Sequence, residues 1–215
     1  MSQIWYAAFS EDFVEQAQKI FKKLDKDVIV TVWDPELVPE MLRRGVSVIL
    51  GRGATALRIR KVVDLPVVEI PIPFEDMADT LIEASRYGRN IGVIGYNNLL
   101  SGLECLNPIL NVSIRQIFAV DENDTYHQIQ KLKNEGIDVI VGGLLQTHYA
   151  RELGLPAVRI ELTDKSLSYA CQEAEKLIAT VKAATRKAEE LKTILNTTKM
   201  CIRDRACTGP GIFSR

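Results

Sequence analysis

The chain has 215 residues, and 27 Lys and Arg against 28 Asp and Glu leave a formal net charge of -1. That balance gives no electrostatic case for direct contact with nucleic acid or with an anionic membrane surface. A hydrophobic fraction of 47% supplies core for one large domain or for two small lobes.

Ile4 to Phe9 reads as a first strand. Ser10 ends it, and this hydroxyl followed by Glu11 and Asp12 marks the start of a helix reaching about Leu24. Val28 to Trp33 is β-branched and closed by Asp34-Pro35, which gives a second strand; the helix after it ends at Gly45. Val46 to Leu50 is continuously apolar, as a strand buried on both faces of a parallel sheet requires. In Gly51-Arg52-Gly53-Ala54-Thr55, two glycines permit a sharp bend with bare amides, and a helix beginning near Thr55 aims its positive end at the same place. Val67 to Ile70 is a fourth strand, and Phe74 to Tyr87 a helix that leaves the lobe.

The same order then recurs: strand Ile91 to Gly95, helix from about Asn98, strand Ile114 to Val120, helix from about Asp124 to Asn134, strand Val139 to Val141, helix through Leu153, strand Ala157 to Ile160. The recurrence is legible residue by residue. Gly45, Val46, Val48, Ile49 and Gly51 match Gly136, Ile137, Val139, Ile140 and Gly142, and Leu65, Pro66, Val68 and Ile70 match Leu155, Pro156, Val158 and Ile160. A repeat this long is no solenoid unit; alternating strands and helices with right-handed crossovers predict two similar doubly wound, parallel-sheet α/β lobes of four strands each. The expected division is residues 1–89, residues 90–162, a C-terminal connector helix over residues 163–198, and a tail over residues 199–215.

In the connector, Leu167, Ala170, Ala174, Leu177, Val181, Ala184, Ala188, Leu191 and Leu195 alternate spacings of three and four, an apolar seam of about four heptads. Its first half suits a helix lying on a lobe; from Val181 onward pairing with a second copy of the chain is expected. After Thr198 the periodicity stops and half of the cysteines fall in a stretch closed by a glycine and proline cluster, which reads as a truncated, frame-shifted or otherwise non-native tail. The four cysteines lack CxxC spacing, there are two histidines, and no export signal or membrane-length apolar run is evident, so a cytoplasmic chain without metal or other cofactor is expected.

The strings RGVSVILGRGATA, DLPVVEIP, NIGVIGYNN, and VIVGG with GLPAVRIE, in this order from about Ile4 to Leu195, resemble the N-terminal receptor domain of the propionate catabolism activator family. The resemblance implies chelatase-like lobes and a sensory module of a bacterial sigma-54-dependent transcriptional regulator, in which an ATPase domain and a helix-turn-helix follow. Neither a GxxxxGK[ST] phosphate loop nor a basic recognition helix occurs in this chain. The resemblance also implies a small-molecule effector; the best-known members respond to a tricarboxylate, and the family covers regulators of other pathways.

In open doubly wound sheets a ligand sits beyond the carboxyl ends of the strands where the order reverses, which for order 2-1-3-4 is between strands one and three. This selects Ser10 and Arg52, Gly53, Ala54 and Thr55 in the first lobe, and Tyr96, Asn97, Asn98, Gly142 and Gly143 in the second, with Gln146 opening the next helix. Arg52 is suited to grip a carboxylate, the hydroxyls and amides to add neutral hydrogen bonds, Tyr96 to form an aromatic wall, and the glycines to bare their amides. A small organic acid is the expected effector. Each residue also has a plainer reading: an ion pair for Arg52, tight turns for the glycines, a helix cap for Asn97 and Asn98, and solvated surface for His127, His148 and the cluster Arg58, Arg60 and Lys61.

The rival class is a cofactor-free enzyme. A two-lobe racemase needs a thiol at the strand end of each lobe, where Arg52 and Gly142 to Gly143 stand instead, and a chelatase needs a histidine or paired acids that these loops lack. A periplasmic-type binding protein is disfavoured by the missing export signal and the heptad helix.

Overall fold

A computed structural model describes residues 3–96 and 101–207, with side chains through residue 194. The chain divides into two compact units, Met1–Ala174 and Glu175–Arg215. The first lobe runs β1 (Ile4–Ala8), α1 (Glu11–Lys23), β2 (Ile29–Val32), α2 (Val38–Arg43), β3 (Val48–Gly51), α3 (Gly53–Val62) and β4 (Val67–Glu69), with α4 (Phe74–Ala84) after it. The second runs β5 (Asn90–Gly95), α5 (Asn107–Leu110), β6 (Ser113–Phe118), α6 (Glu122–Asn134), β7 (Val139–Gly142), α7 (Leu144–Glu152) and β8 (Ala157–Arg159), with α8 (Asp164–Cys207) after it.

Two four-stranded parallel sheets result, ordered β2-β1-β3-β4 and β6-β5-β7-β8, the two doubly wound lobes of order 2-1-3-4 expected from the repeat. The duplication extends to register and turns. Tyr6 pairs with Leu50 as Val93 pairs with Val141. The Gly51 carbonyl accepts from the Ile70 amide at 2.8 Å as that of Gly142 accepts from Ile160 at 2.9 Å. Gly45 and Gly136, which turn the chain out of α2 and α6, hold φ of +86° and +82°, a conformation that costs glycine no Cβ clash.

Each sheet is covered on both faces because its central strands carry apolar side chains in both directions. In the first lobe Trp5, Ala7 and Ile49 pack with Met41 of α2 and Ile59 of α3. The indole N–H of Trp5 donates to the Thr31 hydroxyl at 2.9 Å, so that the buried donor is satisfied. Tyr6 points the other way and meets Phe21 of α1 edge-on, with ring centroids 6.0 Å apart. In the second lobe Ile91, Val93, Val139 and Val141 pack with Met77, Leu81 and Ala84 of α4, and Ile94 and Ile140 pack with Ile129 and Leu132 of α6 and Ala150 of α7.

Helix α4 therefore covers the sheet of the second lobe although it follows the first in sequence. The opening of α8 makes the reverse crossing: Gln16 of α1 donates to the Leu162 carbonyl at 2.9 Å, and Lys23 of α1 pairs with Asp164. Leu167, Ala170, Cys171 and Ala174 on this first stretch of α8 are buried.

Two local expectations change. The helix expected from about Asn98 is reduced, among the described residues, to the 3-10 turn Leu103–Leu106 and the single turn of α5. Gly102, at φ +80°, and Pro108 delimit these short pieces. Ser10 does stand at the N-cap of α1, but its hydroxyl makes no capping bond; Glu11 and Asp12 supply the favourable charge at that end instead.

Within the second unit α8 is helical to Cys207, and every residue from Ala179 to Ile194 is exposed. Val181 and Leu191 of the heptad seam are 49% and 53% exposed. Leu195 and the tail from Thr208 lie outside the residues whose side chains are described.

Candidate functional site

The carboxyl ends of β1 and β3 face those of β5 and β7 across a cavity of about 100 Å³. Among the residues selected from the sequence, Arg52, Gly53, Ala54, Thr55, Tyr96, Gly143 and Gln146 line it. Ser10 and Gly142 do not, and Asn97 and Asn98 lie outside the described residues.

Gly142 has a packing role. A Cβ there would stand 2.5 Å from the Gln146 Cβ and 2.8 Å from the Ile94 carbonyl oxygen, so glycine is what lets α7 start directly behind the strand. Gly53 has a related role between the lobes. It holds φ of +52°, and a Cβ would meet the Tyr96 ring at 3.3 Å.

Residues missed from the sequence complete the walls. Tyr6, Phe9, Phe13, Ile72, Leu145 and Ile160 all line the cavity. Tyr6 had a readable signal: it carries the one hydroxyl in the first strand, whose carboxyl end lies where strand order reverses. Phe13 had none, since a phenylalanine in the first turn of an amphipathic helix reads as ordinary core.

The polar groups on the walls are few: the Tyr96 hydroxyl is paired with that of Thr125 at 3.2 Å, while three others bond no described residue. Gln146 is 3% exposed and Thr55 5%, and neither side chain hydrogen-bonds a described residue. They occupy the same place in the repeat, the fourth residue after Gly51 and after Gly142, so each lobe presents one neutral polar group to the shared space. The Tyr6 hydroxyl likewise bonds no described residue. Burial pushes it up to about 12, against the pull of the nearby Arg52 charge, so it is a proton donor at neutral pH. The Ser10 hydroxyl is buried without a partner among the described residues.

Arg52, at the N-cap of α3, reaches across the lobes, and its Nη1 donates to the Glu161 carbonyl at 3.0 Å. Burial lowers its pKa, while Tyr6, Glu161 and Asp76 oppose that shift. It remains a cation at neutral pH, as an arginine does. Arg159 is held by its own neighbour, Glu161, through bonds of 2.8 and 3.0 Å.

The lobes are tied at further points around this cavity. Arg58 of α3 pairs with Glu122 of α6, so this member of the basic cluster spans the two halves. The Thr163 hydroxyl donates to Asp76 at 2.6 Å and Lys165 pairs with Glu75 at 2.8 Å, joining the starts of α4 and α8. His148 is exposed and sits 3.4 Å from Glu152, and His127 is exposed. Among the described residues no group of His, Cys, Asp and Glu is arranged to hold a metal ion, and no helix is long and apolar enough to cross a membrane.

Paired sheets with their switch points turned on one another define a two-lobed α/β architecture with an interlobe cavity. The model of the propionate catabolism activator family matches residues 34–184, and the chain belongs to that family as its N-terminal sensor domain. A crystal structure of an NtrC family transcriptional regulator from Clostridium acetobutylicum is similar, with a TM-score of 0.68 and 25% identity over 82% of this chain and 96% of that one. A periplasmic solute binding protein of an ABC transporter from Actinobacillus succinogenes, solved with bound D-allose, gives a TM-score of 0.40 and 14% identity over 82% and 90% of the two chains, a likeness too slight to argue from. The chain is thus a sensing domain of a transcriptional regulator.

Proposed function

We propose that this domain senses a small organic acid held in the cavity between the lobes, and that capture is reported through α8 to a sigma-54-dependent effector outside this chain. The observation that carries the reading is convergence. Arg52 and Thr55 from one lobe and Gln146 from the other bring a cation, and two polar groups that bond no described residue, to one cavity. Such a cavity favours an anion because the guanidinium binds a carboxylate through paired, charge-assisted hydrogen bonds.

A ligand touching both lobes favours the arrangement in which they close on it, and shifts the population toward that state by its difference in affinity. The exposed seam of α8 suits pairing with the same helix of a second copy, so a homodimer in the cytoplasm is the form in which the signal is read. The chain acts as a binding module, without cofactor, catalysis or direct nucleic-acid contact of its own. The test is thermal denaturation with a panel of organic acids. An effector raises the melting temperature of the native protein, and Arg52→Ala removes that rise while the unliganded variant still melts cooperatively. Turnover of any panel member would sink the reading in favour of an enzyme.

A further inference from the structure

Among the described residues two segments of chain cross between the lobes. Residues 70–73 lead from β4 to α4, which covers the second sheet, and residues 160–163 lead back from β8 to the start of α8, which is bonded to α1. Thr163 bonds Asp76 and Lys165 bonds Glu75, so the two crossings lie side by side. Short paired crossings between rigid bodies form a hinge, where small changes of backbone angle turn one body against the other. The bond from Arg52 ends on Glu161, inside one of these crossings, and so belongs to the hinge.

Helix α3 makes a contact of another kind. It is part of the first lobe, yet Ala54 and Leu57 pack against the apolar cluster of the second that contains Ile94, Tyr96 and, from α6, Ile129. Tyr96 is fixed between the two helices: a Cβ on Gly53 would meet its ring at 3.3 Å, and its hydroxyl pairs with that of Thr125 on α6 at 3.2 Å. One turn on from Ala54, Arg58 pairs with Glu122 in the first turn of α6. Positions 54, 57 and 58 share one face of α3, so the apolar contact and the ion pair form a single stripe. None of these residues lies in a crossing segment. Turning the lobes apart therefore wets Leu57 and breaks the ion pair while the crossings stay whole.

We infer that this face of α3 is a clasp. The protein's own contacts, with Arg58 and Glu122 at their rim, hold the lobes together, and their strength sets how often the lobes part. An ion pair whose side chains are 47% and 35% exposed contributes modestly. Reversing one of its charges turns that attraction into repulsion and acts further. The clasp goes beyond the effector reading and does not depend on it.

The test is double electron–electron resonance on the full chain with no acid added. Nitroxides are placed on the exposed positions Lys19→Cys of α1 and Lys131→Cys of α6. Cys105→Ser, Cys201→Ser and Cys207→Ser remove competing thiols, the buried Cys171 is kept, and labelled chains are diluted in unlabelled ones so that only distances within a chain are read. The native pair of lobes is expected to give one main distance. Arg58→Glu raises a longer distance to at least about five times its native share, Leu57→Ala raises the same distance, and Arg58→Glu combined with Glu122→Arg returns the native distribution. A cooperative melting curve for each variant shows that the lobes themselves stay folded. A longer distance absent from both Arg58→Glu and Leu57→Ala, or present in Arg58→Glu and not reversed by the charge exchange, overturns the clasp. So does a native chain whose lobes already stand mainly apart. None of these results bears on the effector reading, which stands or falls by the acid panel.

Discussion

At the scale of single residues the clearest constraints are conformational and electrostatic. Gly53 holds a left-handed backbone and has the Tyr96 ring against it, so Gly53→Ala adds both backbone strain and a tight contact across the lobes. The expected cost is about 1–2 kcal/mol, read as a lower urea midpoint at unchanged slope. Tyr6 makes a prediction in pH. Its hydroxyl titrates at about 12 in the folded protein against the usual 10.0, so within that window the folded state keeps a proton that the unfolded chain releases. Stability is therefore unaffected by this group below pH 10 and falls as pH rises toward 12, by about 2–3 kcal/mol in total. Tyr6→Phe flattens that part of the stability curve relative to the native protein, as denaturant titrations at several alkaline pH values will show. The places of Arg52, Thr55 and Gln146 on the cavity wall were legible in the sequence because a rule about strand ends points to loops and helix starts. That rule says nothing of side chains inside a strand or one turn into a helix, which is why Tyr6 and Phe13 were missed. Gly142, which the same rule selects, packs behind Gln146 and is not among the lining residues.

At the scale of elements the crossing segments and the last helix matter most. Thr163 and Asp76 join the start of α8 to the start of α4 through one short bond of 2.6 Å. Thr163→Val keeps the shape but removes both that donor and the acceptor of the Ser166 amide at 3.1 Å, and a loss of about 1–3 kcal/mol is expected in chemical denaturation. For α8, a pairing helix would bring Leu191 beside its counterpart. Leu191→Cys is expected to form a disulfide-linked dimer under mild oxidation, with a yield that changes when effector is added; an entirely monomeric product would count against pairing. Strands were read well from the sequence because continuous β-branched runs between glycines and prolines leave few alternatives, and Val48–Gly51 and Val139–Gly142 fall where the apolar runs do. The segment before β6 was read poorly. Its apolar residues, Leu103 and Leu106, are buried, but Gly102 and Pro108 allow no long helix to carry them.

At the scale of the whole molecule the duplicated sequence carried the architecture, since matching glycines at matching places imply matching folds. What it could not carry was the exchange of helices between the halves. Nothing in the pattern of α4 distinguishes one sheet from the other, because its Met77, Leu81 and Ala84 would suit either. The structure assigns them to the second, and ties the beginning of α8 back to α1 of the first.

That exchange bears on how the domain can be dissected. A fragment ending at the midpoint of the chain would strand α4 away from the sheet it shelters, while the remaining fragment would keep strands stripped of a roof and a helix seeking an absent neighbour. The two halves are similar in shape yet cannot be separated as independent pieces, and any mapping of this sensor by deletion has to keep both or lose both.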